Sequence, residues 1–169
     1  MQAQPLQLPG QHEYHGQPFP LALKVNATSL EDACAWAREH AAELDAQAAS
    51  HGAVLLRGMP LASPEDFDAI VAAIGFPVFS YADSLSNAYR INYTPRVFSA
   101  NEAPPEVTIF LHHEMAQTPS PPAKLFFFCQ TAPVKRVSNE IKVQTSFFCV
   151  DQILKAHPFA KDELKKNRN

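Results

Sequence analysis

No apolar stretch in this sequence approaches the roughly 20 residues needed to cross a bilayer, and Met1-Gln-Ala-Gln-Pro opens without the basic segment and apolar run of a secretory leader. The expectation is a protein that stays off membranes. Basic excess is lacking too: 17 acidic residues stand against 14 basic ones, so nothing in the balance of charge draws a phosphate backbone, and nucleic acid is not expected as a partner. Cysteine is scarce. Cys34, Cys129 and Cys149 are an odd number without paired spacing, which argues for packed, reduced thiols and a cytoplasmic setting rather than a disulfide frame. Lys161-Asp162-Glu163-Leu164 spells a retention signal, but five residues follow it and such an address is read only at the extreme C-terminus.

What is present is enough apolar residue, 46% of 169, for one compact domain with a core. Residues 1–20 carry four prolines and no hydrophobic period, and read as an extended arm leading to a short strand at Leu21–Val25. Thr28 followed by Glu31 forms a capping box, and Leu30, Ala33, Cys34, Ala37, Ala41, Leu44 and Ala48 recur at helical spacing until Gly52. Ala53–Arg57 suits a buried strand closed by Gly58. Ser63 as N-cap, Pro64 at the first helical position and Asp66 in the first turn open a second helix with the stripe Phe67, Ile70, Val71 and Ile74, ending at Gly75. Strand-like runs follow at Ala88–Tyr93, Val107–His112 and Lys124–Gln130. Helices first and strands later predict an α+β fold.

The chain changes character near Arg136. Lysine occurs three times in residues 1–136 and five times in the 33 residues from Val137, whereas all five glycines and all but one proline precede Val137. Three segments are therefore expected: an arm at 1–20, a domain at 21–136 and a distinct tail at 137–169.

The chemistry centres on His112 and Glu114. In a strand, side chains two apart share a face with backbones roughly 6.6–6.8 Å apart, so these two can converge on one cation while His113 faces away. An imidazole and a carboxylate with open positions are two-thirds of the facial triad of non-haem iron(II) oxygenases. Alone, such a triplet arises often by chance, and a solvated strand end accounts for most instances. A zinc hydrolase would want three protein ligands and an activated water, and no further His-rich motif offers them.

The surroundings are more specific. Asn101-Glu102-Ala103-Pro104-Pro105, then Ile109-Phe110-Leu111-His112-His113-Glu114-Met115-Ala116, then Pro122-Ala123-Lys124-Leu125-Phe126-Phe127-Phe128-Cys129 together resemble the metal-binding segment of the taurine dioxygenase-like (TauD/TfdA) family, in the branch with His-x-Glu-Met. His51-Gly52-Ala53-Val54-Leu55-Leu56-Arg57-Gly58 also resembles that family's early strand, and the likeness runs in order over about residues 20–135. The resemblance implies a double-stranded β-helix, the jelly roll of clavaminate synthase-like proteins, here partial and truncated behind N-terminal helices. It implies Fe(II) and 2-oxoglutarate as cofactors, and O2 and a small organic molecule as partners. The reaction it implies is hydroxylation of a substrate C–H bond as 2-oxoglutarate becomes succinate and CO2. It also implies His112 and Glu114 as metal ligands and places Arg90, Asn92 and Asn101 toward substrate or cofactor. Read singly, each of those three is more simply a surface polar residue.

The family pattern then breaks. Its strand like Leu125–Cys129 is followed by a loop carrying Gly-Gly-x-Thr, but here Thr131-Ala132-Pro133-Val134-Lys135-Arg136 runs into Val137-Ser138-Asn139-Glu140. His157 and Arg168 imitate the spacing of the family's distal His and 2-oxoglutarate-binding Arg. Only 43 positions separate Glu114 from His157, too few for the strands that normally intervene, so His157 reads as a solvated terminal residue. Two functions stay open: an oxygenase that is weak or inactive as this chain, or a non-catalytic remnant serving as an interaction module. Phe126, Phe127 and Phe128 read as core on both faces of a buried strand, and Cys129 as a small core hydrophobe. His12, His15, His40 and His51 have no mutual ligand spacing.

Val-Ser is what the usual opening of a spliceosomal intron encodes in one frame, and the composition shift begins at that pair. Retained-intron translation in a eukaryotic source predicts a shorter spliced transcript. Sequencing messages across the Arg136–Val137 codons checks this, and continuous coding sequence with no shorter form counts against it.

Overall fold

The computed structural model describes residues 2–14, 16–78, 89–100, 102, 104, 106–108, 114–115 and 122–131. His15, Asn101, His112, Cys149, His157, Arg168 and the whole of 137–169 lie outside the described residues, and so does the strand expected to end at His112 over its last positions. Packing divides the chain into two units. One takes in Met1–Leu61 and Ala69–Phe76, the other Ala62–Asp68 and the described residues from Pro77 onward.

The first unit is built on a parallel pair, β4 (Leu21–Lys24) and β5 (Val54–Arg57), in register from Leu21 opposite Val54 to Lys24 opposite Arg57. Parallel neighbours need a long crossover, and two helices supply it: α1 (Leu30–Glu39) and α2 (Ala41–His51). β1 (Gln4–Pro5) adds antiparallel to the other side of β4, with Pro5 opposite Leu23. An edge strand is where a residue without an N–H is tolerated. β2 (His12–Tyr14) and β3 (Gln17–Phe19) form a separate two-stranded ladder. Residues 1–20 are extended and paired in two ways: β1 reaches β4 about 20 positions on, whereas β2 and β3 pair with each other across a tight turn.

Ala22 and Leu23 of β4, Val25 just after it, and Ala33, Trp36 and Ala37 of α1 are all buried, so β4 is covered on both faces. α1 begins one residue later than the Thr28–Glu31 pattern predicts. Ser29 is the N-cap and accepts from the Asp32 backbone N–H at 3.1 Å, while the Thr28 hydroxyl donates to the Asp32 carboxylate. Those hydrogen bonds, Thr28 first and Ser29 second, hold the exposed Asp32 carboxyl below the usual carboxylate range.

The single helix expected up to Gly52 is broken at His40. Its φ of −102° and ψ of 9° leave the helical region. The ring stacks on Trp36 with centroids 4.6 Å apart, and both the backbone N–H and the Nδ1 of His40 lie against the Trp36 carbonyl, at 3.0 and 2.9 Å. A side chain that occupies its own cap carbonyl closes one helix, and the next begins at Ala41.

α3 (Pro64–Ile74) matches the sequence expectation closely. Asp66 N–H donates to Ser63 Oγ at 3.2 Å, and the Asp66 carboxylate accepts from Ala62 and Ser63 N–H at 2.8 and 3.1 Å, a reciprocal cap. Phe67, Ile70 and Ile74 are buried.

In the second unit the expected strands are not regular ones. Tyr89–Tyr93 pairs with residues 97–102 through Glu102 N–H to Tyr89 O, Ser99 N–H to Ile91 O and Tyr93 N–H to Val97 O, but only Asn92 opposite Phe98 counts as a bridge. The described parts of 107–112 and 124–130 contain no paired strand. Two core assignments are corrected here: Phe127 is 59% exposed and Cys129 is exposed, because among the described residues this segment is in no paired strand that would cover its alternate faces. Phe128 does pack, its ring stacked on Phe67 at 5.4 Å. Cys34 and Cys129 are in no disulfide.

Gly58 ends β5 with φ of +81°, and a Cβ there would meet the Val25 carbonyl oxygen at 2.5 Å. Gly58→Ala is therefore expected to cost about 1–3 kcal/mol, read as a lowered midpoint in urea denaturation.

Candidate metal centre

Glu114 is the described member of the expected ligand pair, and it is only 6% exposed. A carboxylate removed from water needs a partner, because desolvation of the lone charge costs more than a domain can absorb. Arg90 provides it: Nη2 stands 3.1 Å from Glu114 Oε1, with both side chains about 7% exposed.

The guanidinium is itself located by the irregular ladder. Arg90 Nη1 donates toward the Ser99 carbonyl at 3.4 Å, Ser99 Oγ accepts from Ile91 N–H at 2.9 Å, and Ser99 N–H returns to Ile91 O at 2.8 Å. Ser99 is fully buried. Backbone and hydroxyl of one residue thus fix the strand that carries Arg90. Met115, the neighbour of Glu114, is buried with φ of 57°. A non-glycine residue in the left-handed region is uncommon and costs of order 1 kcal/mol or more, so the turn that aims Glu114 is held by burial of the Met115 side chain.

The loop joining the two sides of the ladder is tied to the start of α3. Asp68 accepts from Thr94 Oγ1 at 2.9 Å and from Arg96 Nε and Nη2 at 2.8 and 2.6 Å. Thr94 Oγ1 in turn accepts from the backbone N–H of Arg96 and Val97.

Of the five residues singled out from sequence, the structure brings two together, Arg90 and Glu114. Asn92 is exposed in the bridge with Phe98, and no hydrogen bond joins it to Glu114 among the described residues. His112 and Asn101 are outside the described residues. Sequence reasoning missed Ser99 altogether. For Arg90 it missed the partner, although a cation inside the apolar run Ala88–Tyr93 and an acid inside another are the signal that two buried charges will meet.

A dry, hydrogen-bonded carboxylate suits a divalent iron, whose ligating carboxylates normally keep an outer hydrogen bond. Among the described residues no group of three or more His, Cys, Asp or Glu side chains could hold a metal.

Comparison with known proteins gives the wider context. The profile of the family described as "Taurine catabolism dioxygenase TauD, TfdA family" matches residues 17–136. A clavaminate synthase-like protein of Arabidopsis thaliana is 34% identical over 158 residues, a span that covers 89% of this chain and 47% of that protein. This chain belongs to the TauD/TfdA family. It spans about half the length of the curated relative it matches. The aligned share is also more than residues 1–136 alone can supply, so the alignment with the plant protein continues past Arg136, where the family profile stops.

The ion pair predicts an asymmetry in stability. Arg90→Met, which removes the 3.1 Å contact to the buried Glu114, is expected to cost about 1–3 kcal/mol, and adding Glu114→Gln to restore part of the loss. Chemical denaturation of the single and double variants measures both.

Proposed function

We propose that this chain is the first part of an Fe(II)/2-oxoglutarate-dependent dioxygenase, an oxidoreductase that hydroxylates a small organic substrate with O2. His112 and Glu114 are two of its metal ligands. The observation that carries this reading is the burial of Glu114 inside the span matched by the family profile. The acid that the family motif marks is the one this fold keeps dry and hydrogen-bonded.

Iron with 2-oxoglutarate and O2 supplies the oxidising power when bound. The chain's own part is to hold the cation through His112 and Glu114 and to keep water from the carboxylate. On this reading the second unit is the opening portion of the family's jelly roll. No helix among the described residues is long and apolar enough to cross a membrane, and a cytoplasmic setting is taken as part of this reading. On this reading the family domain reaches at least to about Arg136, the end of the profile match.

A second reading, a non-catalytic binding module, is favoured by a specific feature: the Gly-Gly-x-Thr segment expected after Cys129 does not follow it. Anaerobic titration with Fe(II) and 2-oxoglutarate separates the two. The dioxygenase reading expects a visible charge-transfer band and O2-dependent succinate release, both abolished in His112→Ala and in Glu114→Ala. Two protein donors leave a cation largely solvated, so affinity for this chain alone is expected to be low. A chain that folds but gives neither band nor succinate is the module.

A further inference from the structure

We propose that Met115 is a positioning residue for Glu114: its left-handed backbone, anchored by the buried side chain, sets the direction in which the acid leaves the turn and so delivers it to the cation already placed. The assignment rests on reading Glu114 as a metal ligand.

Three observations carry the inference. First, Glu114 and Met115 lie together in a turn, where the sequence aims the acid from the end of a strand. The alternating faces of a pleat therefore do not decide where the Glu114 side chain goes. The dihedrals of the turn do. Second, Met115 is the one non-glycine residue with positive φ among the described residues, at 57°. That angle is the torsion about its N–Cα bond, and it sets the Glu114 peptide relative to the Met115 side chain. A return to the right-handed region, near −63°, would swing Glu114 by roughly 120° about that bond. Third, the Met115 side chain is a fixed point for this rotation, since the residue is only 3% exposed. Backbone strain persists only where the surroundings over-determine it, and it gathers at active sites and ligand clamps. From this turn Glu114 reaches Arg90 Nη2 at 3.1 Å in a dry setting. A ligand delivered by a held turn has already lost freedom that a metal must otherwise remove on binding.

The chemistry accounts for methionine and not for a β-branched residue. Methionine is unbranched and fills irregular apolar space, and leucine replaces it with little change of volume. Isoleucine supplies the same apolar bulk, but a β-branched residue at positive φ is a genuine outlier.

The test is titration of the full 169-residue chain with Co(II), a spectroscopic substitute for Fe(II), reading affinity and the d–d absorption bands, with a urea midpoint for each variant. Met115→Leu is expected to keep native affinity and bands. Met115→Ile is expected to bind about 10–100-fold more weakly with shifted bands. Leu125→Ala, which removes another buried apolar side chain of the same unit, is expected to lower the midpoint at unchanged affinity. Should Met115→Ile not fold, Met115→Ala, which removes the anchor, decides: a loss like that expected of Met115→Ile supports the proposal, and native affinity overturns it. Native binding by Met115→Ile overturns it too, as does Met115→Leu binding as weakly as Met115→Ile. An equal loss in Leu125→Ala also overturns it, since the effect is then only one of stability. Glu114→Gln is expected to abolish specific binding. Native Co(II) binding by Glu114→Gln, or none by the unaltered chain, removes the metal-ligand reading and the proposal with it. Loss in Glu114→Gln with native behaviour in Met115→Ile overturns the role of Met115 alone.

Discussion

A carboxylate at 6% exposure is the constraint from which the second unit follows. Left alone in an apolar interior the charge would cost several kcal/mol, so the chain must bring a cation to it and hold the cation still. Arg90 does the first. The second needs a relay: Asp68, in the opening turns of α3, fixes Arg96 and Thr94. Thr94 shapes the loop through the Arg96 and Val97 amides. That loop sets the offset of the ladder, and the ladder brings the Ser99 carbonyl to Arg90. Each step is a hydrogen bond to a charged or backbone group, the kind that specifies geometry as well as energy. The apolar core of this unit, Phe67, Val97, Phe98, Met115 and Leu125, supplies burial without direction, and the relay supplies the direction.

The first unit answers a different requirement. Its parallel pair can close only through a crossover, and the crossover has to return the chain to the edge of β4 in register. The two glycines of the Gly52–Gly58 segment explain how. Gly52, at φ of 78°, ends α2; Gly58, at φ of +81°, ends β5 where its Cα lies against the Val25 carbonyl. Between them fits one short strand. The spacing that resembles the family's early strand is therefore a geometric unit in this chain, with each glycine placed where a side chain would be strained or would collide.

What could be read from the sequence divides along the same line. α3 was legible because its signals are local: Ser63, Pro64 and Asp66 act within one turn, and the stripe from Phe67 to Ile74 has helical period. α1 was displaced by a residue because Thr28 and Ser29 both offer a capping oxygen, and the acid that completes the box is Asp32 and not Glu31. The break at His40 was hidden, since the apolar period continues through it and what marks it is the engagement of the His40 ring with Trp36, by stacking and at its carbonyl. The paired arm and the irregular ladder depend on which backbone groups meet across a turn, which hydrophobic periodicity does not record. At the site, Glu114 was marked by its motif, but the group that meets it lies 24 positions earlier. Arg90 and Asn92 would share a face in a regular strand, yet one is buried and the other exposed, because the segment pairs through scattered bonds and not through a continuous pleat.

The pairing of Glu114 with Arg90 also bears on how strongly such a site attracts a cation. A bare buried carboxylate draws a dication through its full charge, and the interaction is long-ranged where the dielectric is low. An ion pair has no net charge, so at a distance it offers a dication only the difference between two nearby, opposite contributions. The attraction that survives in such a pair is short-ranged and is opposed by the cation already in place. Within the fold the nearer effect of the buried arginine is the one the contact supports: it makes the acid tolerable in an apolar interior.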